Sequence, residues 1–406
     1  MPIGDSRLWE KASFWCAFGS AAATLFSIAV SQTLLALALA TLLLSNQRLR
    51  FPPLLWPLGL FAAGTLLSLA LSPDPAAGRP QVRKFFVYLI LLVVTSTFRR
   101  LEQARWLVLA WTAIASAAAL ISFGQFALRW RRSITLGKDF YEAYVSDRIT
   151  GFMSHWMTFS GMQMVVLMLS AAFLFWGVKD RRLRMALAAA CNLIILSILL
   201  GWTRSIWIAT GAGGLYLLWF WKRWTTVLAP LVLVLLTFAG PAGIRERIHS
   251  FLQPRGTLDS NQHRLVTWRT GLVMVKAHPW FGLGPEMVKA QFDQYVPEDI
   301  PRPLPTGWYG HLHNIYLQYA AERGIPTMLM LLWLLLKCLW DWSRALRGLP
   351  ASHEARWLLH GSIAAMLAVM ITGVFEHNLG DSEVLLLVLS FVSLGYLARE
   401  QALATG

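Results

Sequence analysis

Apolar positions in this chain run in blocks rather than in alternation. The blocks fall at about 14–30, 33–46, 53–71, 84–98, 105–127, 156–178, 185–202, 205–221, 224–241, 314–336, 357–375 and 383–398. Most approach the roughly 20 residues that a helix needs to cross the hydrocarbon layer of a bilayer. Backbone polar groups in lipid must satisfy one another within the segment, so the blocks predict helices. Barrel strands would alternate apolar and polar residues, and these do not. The pattern therefore predicts an all-α polytopic membrane protein with twelve transmembrane helices. The weakest division is the first, where only Ser31 and Gln32 separate two apolar runs.

Between the ninth and tenth blocks lies a long segment, 242–313, too long for a plain connection and expected to carry structure of its own. Leu265, Trp268, Leu272 and Val275 recur at helical spacing and share one face. Asp259 and Ser260 supply start signals, and Pro279 supplies a stop. A second short helix is expected over about 286–295, after Gly282-Leu283-Gly284-Pro285. The division is thus a bundle over 1–241, a helical loop over 242–313, and a bundle over 314–406, with the loop lying as a cap on the outer membrane face.

Composition agrees: 56% of residues are hydrophobic and 14% charged, with a mean hydropathy of +0.51. One soluble core could not hide so much apolar surface. The stretch after Lys11 runs directly into membrane sequence, so no cleavable leader is expected. Cys16, Cys191 and Cys338 are scattered through apolar spans and offer neither a disulfide framework nor zinc spacing.

The net charge of +15 is explained in large part by topology and does not call for nucleic acid. Arg48 and Arg50, Arg99 to Arg105, Lys179 to Arg184, Lys222 and Arg223, and Arg344 to Arg356 occupy alternate connections. Short loops rich in Lys and Arg face the cytoplasm, which assigns both termini there. The opposite side receives 72–83, 128–155, the hinge at Thr203-Arg204, 242–313 and 376–382. Those loops hold most of the acids and nearly every residue capable of chemistry, so the function is expected to face outward.

The densest stretch runs from His311 and His313 to Gly324, where the long loop opens into a membrane helix. Asn314, Gln318 and Glu322 are spaced by four and form one polar stripe. Polar residues entering a span face a wet cavity or a hydrogen-bonded seam between helices, and the stripe fits either. His313 sits at the helix mouth, where an imidazole can exchange protons near neutral pH. Without an acidic pair in the early outward loops, a charged ligand has to be met by fixed cations. Candidates are Arg79, Arg83 and Lys84, Arg148, Arg204 in its tight hinge, and Arg264 at the head of the cap helix. Arginine binds phosphate with a rigid two-pronged fork. Arg79, Arg129, Arg131 and Arg132 fit headgroup contact equally well.

The run His313-Asn314-x-Tyr316-Leu317-Gln318, followed by Glu322 and Gly324, resembles the signature of the O-antigen ligase and polymerase superfamily. Thr203-Arg204-Ser205 is similar to that family's arginine hinge. Arg264 with Trp268, followed by His278-Pro279-Trp280-Phe281-Gly282-Leu283-Gly284, is similar to its long-loop element, and Arg148, Gly151, Phe152 and His155 echo a further piece. The resemblance implies a GT-C-like glycosyltransferase of the bacterial inner membrane with its active site on the periplasmic face. The implied donor is a glycan on undecaprenyl diphosphate. The implied acceptor, for the members this chain looks most like, is the lipid A-core oligosaccharide of lipopolysaccharide. It further implies an inverting reaction needing no metal or other cofactor. His313 would be the general base, with Arg204, Arg264, Arg148, Lys84 and Arg83 at the diphosphate. His311, Asn314, Gln318, Glu322, Trp268, Glu376 and Asp381 would support the site or contact the acceptor. Relatives that polymerise O-antigen or glycosylate protein side chains share such motifs. Outside the family, a flippase for lipid-linked oligosaccharide would also want arginines around a wet cavity. A secondary transporter would instead use Glu376, His377, Asp381 and Glu383 as proton relays.

Overall fold

The computed structural model describes residues 6–250 and 261–404. Those residues form helices and connections, with no strand among them. The amino-terminal half comprises α1 (Ser6–Ala23), α2 (Ile28–Leu44), α3 (Leu55–Ala70), α4 (Pro75–Arg83), α5 (Leu89–Thr97), α6 (Leu101–Thr135), α7 (Phe140–Ser146) and α8 (Trp156–Ala172). There follow α9 (Arg181–Leu200), α10 (Arg204–Trp221), α11 (Leu228–Phe238), α12 (Ala242–His249), α13 (Asn261–Ala277), α14 (Met287–Gln291), α15 (Ile315–Arg347), α16 (Arg356–Gly373) and α17 (Ser382–Leu403).

Each of the twelve apolar blocks falls on one of these helices or on a run of them. By length and composition, six described helices are apolar enough to cross a membrane: α6, α8 with its short extension to Gly177, α9, α15, α16 and α17. The bent pair 223–238 and 242–249, turning by 108°, would make a seventh. Helices α2 and α3 are apolar and shorter. The fourth block, 84–98, is not one rod: a short helix over Lys84–Tyr88, which follows directly on α4, and α5 build it in pieces.

The first helix break differs from the sequence expectation. It falls at residues 24–27, where Ser27 caps α2 by accepting the amide of Val30, and not at Ser31-Gln32. Ser31 stays helical because its hydroxyl has partners across the helix pair: it donates to the Ser20 carbonyl and meets Thr24 Oγ1 at 2.9 Å. Small hydroxyl residues of this kind tie apolar helices that no hydrophobic force drives together in lipid. The Thr112–Ser170 pair does the same between α6 and α8.

Helices α8, α16 and α17 are buried almost all round and form the centre of the bundle. Basic connections gather at one end. Arg50 pairs with Glu400, Arg105 pairs with Glu354, and Gln401 donates to the Arg99 carbonyl. Three of the loops assigned to a common side thus meet there with the end of α17.

At the other end the described residues of 242–313 form a helical layer around a small core of Val266, Met274, Leu283, Met287, Val288, Phe292, Ile300 and Leu312, which Ala321 of α15 joins. Helix α13 covers the predicted helix, and α14 with the turn after it covers the second. The expected start signals, Asp259 and Ser260, lie outside the described residues. Leu265 and Leu272 share a face, as their spacing predicts, but it is the exposed face of α13. The buried face carries His263, Thr267, Thr270 and Gly271.

Helix α15 is interrupted at Gly324, whose φ of 81° and ψ of 159° leave the helical region. The break frees carbonyls that must find new partners in lipid. The amides of Leu283 and Gly284 donate to the carbonyls of Ala321 and Glu322, and the Ile325 amide donates to the carbonyl of Pro279. So the stretch 279–284 lies backbone against backbone on the break. A Cβ on Gly324 would sit 2.0 Å from the Trp280 oxygen, and one on Gly282 would sit 2.2 Å from the Glu322 carbonyl carbon. Both glycines are required by that approach.

Candidate active site

Where the helical layer meets the bundle there is a cavity of about 1020 Å³. Its walls come from α7 and the turn into α8 (Glu142, Arg148, His155, Trp156, Thr158), from α13 (His263), and from the end of the long loop (Trp308, His311, His313). The 374–381 connection adds Glu376, His377 and Asp381. Its deeper lining is apolar, with Met164, Ile206 and Val369 from α8, α10 and α16.

His313 lies one residue before Asn314, the cap of α15, whose side chain accepts the amides of Tyr316 and Leu317. To make that corner His313 adopts a left-handed φ of 48°. A residue with a Cβ held there is strained, and such strain persists where the surroundings fix it. The fixing contact is His311, whose Nδ1 accepts the His313 amide at 3.2 Å. The two imidazoles meet edge to face at 4.1 Å, so the extended alternation expected of His-x-His is replaced by a turn. Neither ring nitrogen of His313 has a hydrogen-bond partner among the described residues.

Glu376 stands behind it. One carboxylate oxygen takes Arg264 at 2.6 Å and the Ser205 hydroxyl at 3.2 Å. The other lies 3.6 Å from His313 Nδ1, close enough to feel its charge and just beyond a hydrogen bond. Burial alone would push this carboxyl up, but Arg264 and His313 outweigh it and hold Glu376 below the usual carboxylate range. The neighbouring imidazoles move the opposite way from charge. Burial, reinforced by His313, pulls His263 down to about 4 and His311 to about 3. Burial also lowers His155 and, further, His377.

The cavity's buried cation is Arg148. Among the described residues it donates one hydrogen bond, from Nε to the Val145 carbonyl at 3.1 Å, and its fork lies over Trp156. Burial and then Arg247 bring it down to about 9, still charged at neutral pH. Across the cavity Asp381 accepts the Thr158 hydroxyl at 2.7 Å, and burial raises its affinity for a proton.

The other sequence candidates are placed differently. Arg204 is not among the cavity-lining residues. It is buried in the hinge, where it donates to the Ser250 carbonyl at 2.7 Å and to Asn261 Oδ1 at 2.5 Å, so it ties α10 to the start of α13. The tight hinge that marked it out is made by Trp202, at a φ of 47°, whose carbonyl accepts Arg247 Nε. Lys84 donates to the Gly380 carbonyl at 2.7 Å and holds the connection that carries Glu376, while Arg83 is exposed. Gln318 and Glu322 form the seam rather than a wet stripe. Gln318 accepts the Leu312 amide and donates to Glu322, which also accepts the Glu286 amide. Trp268 approaches Phe375 at 6.2 Å, beside Glu376. His263, Thr158 and Ser205 were not distinguished by sequence. His263 directly precedes Arg264, and one turn of helix was enough to place both at His313.

Residues 189–332 match the protein-family model described as O-Antigen ligase. The match covers about a third of the chain and makes that segment similar to the O-antigen ligase superfamily. A comparison with curated proteins gave no match. The O-antigen ligase segment contains Arg204, Arg264, His311, His313 and the break at Gly324, and the cavity is completed by helices on either side of it. This likeness supports a membrane enzyme of glycosyltransferase type in the ligase and polymerase group, acting on a lipid-linked glycan.

Proposed function

We propose that the protein is an O-antigen ligase that transfers a glycan from undecaprenyl diphosphate to the lipid A-core oligosaccharide at the periplasmic face of the inner membrane. The observation that carries this reading is His313: an unpartnered imidazole aimed into a cavity, on a strained corner, with an arginine-clamped carboxylate behind it. The surrounding chain is read as twelve membrane crossings under a periplasmic helical cap, with both termini in the cytoplasm.

The attacking group is a sugar hydroxyl, a weak nucleophile that gains from a base within hydrogen-bond reach. With Nδ1 turned toward Glu376, the ring presents Nε2 as the acceptor of that proton. The hydroxyl oxygen bonds to the anomeric carbon as the bond to the diphosphate breaks. The lipid diphosphate leaves with its negative charge, which Arg148 in the cavity wall would neutralise, with Arg264 held on Glu376 nearby. One displacement with no enzyme nucleophile inverts the anomeric centre. The polyprenyl chain would follow the apolar lining between α8, α10 and α16. No step calls for a metal, since fixed arginines supply the positive charge.

The test is reconstitution: purified protein in detergent, lipid-diphosphate glycan, and lipid A-core, with products resolved on a gel. Ligation should proceed in excess chelator and fail in His313→Ala. Elongated lipid-linked glycan in place of ligated core would instead identify a polymerase, whose members share the matched segment. A protein-linked product would identify an oligosaccharyltransferase. Donor translocation without any product would favour a flippase or transporter.

A further inference from the structure

The cavity must hold two substrates, and its walls differ in kind. Arg148 and Trp156 make one side cationic. The other side is the end of the long loop, where Thr306, Gly307 and Trp308 precede His311 and His313. Trp308 lines the cavity and is 57% exposed, so its ring is open to a ligand there. Its orientation is fixed from two directions. It meets His311 edge to face at 4.7 Å, and its six-membered ring covers Gly310, where a Cβ would lie 2.0 Å from it. Gly310 therefore acts as a flat seat for the indole, and His311 as a stop.

We infer that Trp308 is the stacking platform for the acceptor sugar, a pyranose laid with its C–H face on the indole and its hydroxyl turned toward His313. The ring contacts form a short series, Trp308 to His311 at 4.7 Å and His311 to His313 at 4.1 Å, so the platform is one ring removed from the base. An exposed, rigid aromatic surface recognises the apolar face of a sugar, and its place on the loop that carries the base, rather than on the turn that carries Arg148, assigns it to the acceptor. Stacking on an indole loses little conformational freedom, because the platform is already held. The platform rests on the transfer reaction proposed above and adds the place of its second substrate.

The experiment compares Trp308→Ala, Trp308→Phe and wild type in the reconstituted transfer assay, varying donor and acceptor separately. Removing the ring should raise the acceptor KM about tenfold, the size expected for one aromatic contact. The kcat and donor KM should stay near wild type, and Phe should restore most of the loss. A wild-type acceptor KM in Trp308→Ala, or a rise confined to the donor, would overturn the assignment. A parallel calorimetric titration with deacylated core oligosaccharide separates this failure from failure of the function. Binding to wild type that is lost in Trp308→Ala upholds the platform even without transfer, and equal binding to both proteins refutes it. If wild type binds no core oligosaccharide, the platform is likewise refuted. A thermal melt shows whether the Ala variant is folded, and a collapsed melt rescued by Phe without recovery of acceptor KM would reduce Trp308 to a prop.

Discussion

Replacing Glu376 by Gln keeps the shape of the side chain and removes its charge, so it isolates what the carboxylate does for His313. When the imidazole accepts a proton it becomes a cation 3.6 Å from Glu376 Oε2. At an effective dielectric of about 20, a pair at that distance attracts by about 4–5 kcal/mol. Arg264 already shares the carboxylate through its other oxygen, so we take about half of that as the share felt by His313. A loss of about 2.3 kcal/mol in the transition state is about a fiftyfold drop in turnover. The assay is kcat for glycan transfer by wild type, Glu376→Gln, His313→Ala and the double variant. If the carboxylate acts through the imidazole, the Gln change should cost about fiftyfold with His313 present and little without it, because groups acting as a unit are strongly non-additive. Equal losses in both backgrounds would refute the coupling and leave Glu376 as a partner of Arg264 alone. A wild-type rate in the single Gln variant would remove it from the mechanism.

His313→Ala should leave a folded protein with less than about a tenth of wild-type transfer, since a general base typically contributes about 10²–10⁴-fold, and a smaller loss would move the base elsewhere. Gly324→Ala should lower the thermal midpoint in detergent steeply, by the equivalent of about 3 kcal/mol or more, because φ is positive and the new Cβ meets the Trp280 oxygen; an unchanged melt would contradict the break in α15. Arg204→Lys should lower stability by about 1–3 kcal/mol through loss of its ties to Ser250 and Asn261, while Arg131→Lys should be silent. A normal melt with lost donor binding would instead make Arg204 a direct diphosphate ligand. Stability should fall as pH drops from about 6.5 toward about 4, because His263, free to charge in the unfolded chain at 6.5, resists charging in the fold until about 4. Glu376 acts in the same direction, since its depressed affinity for protons stabilises the fold only while it is ionised. His263→Gln should flatten the upper part of that slope in a melt series.

How much was legible depends on what kind of signal each residue left. Helix positions were, because lipid forces long apolar runs to satisfy their own backbone, and the runs from 84 to 98 and 314 to 336 are visible as such. Their interruptions were not. Ser31 carries the look of a break and is helical, because its hydroxyl finds Ser20 and Thr24 on the neighbouring helix. Gly324 sits inside an apolar run and is a break, because a loop some forty residues upstream supplies amides to its freed carbonyls. Both outcomes hinge on a partner outside the helical segment itself, across the helix pair for Ser31 and some forty residues away in sequence for Gly324, which the apolar pattern does not contain.

The arginines show the same limit from the functional side. Arg204 was singled out for its tight hinge, and the hinge is real; but a guanidinium in a tight corner has backbone carbonyls within reach, and this one is held by Ser250 and Asn261. Arg148 looked weaker in sequence, yet the turn into α8 buries it in the cavity wall with a single Nε bond among the described residues. What decides between holding a loop and holding a diphosphate is how many of the five N–H groups the fold leaves unspent, a property of packing. His313 was legible because its signal is positional. A histidine directly before a helix-capping Asn at a membrane surface has few neighbours to occupy it, and the left-handed corner that aims its ring follows from that cap. Glu376 reaches it from about sixty residues downstream and Arg264 from the first turn of α13, so the sequence could name all three while their arrangement around one carboxylate required the fold.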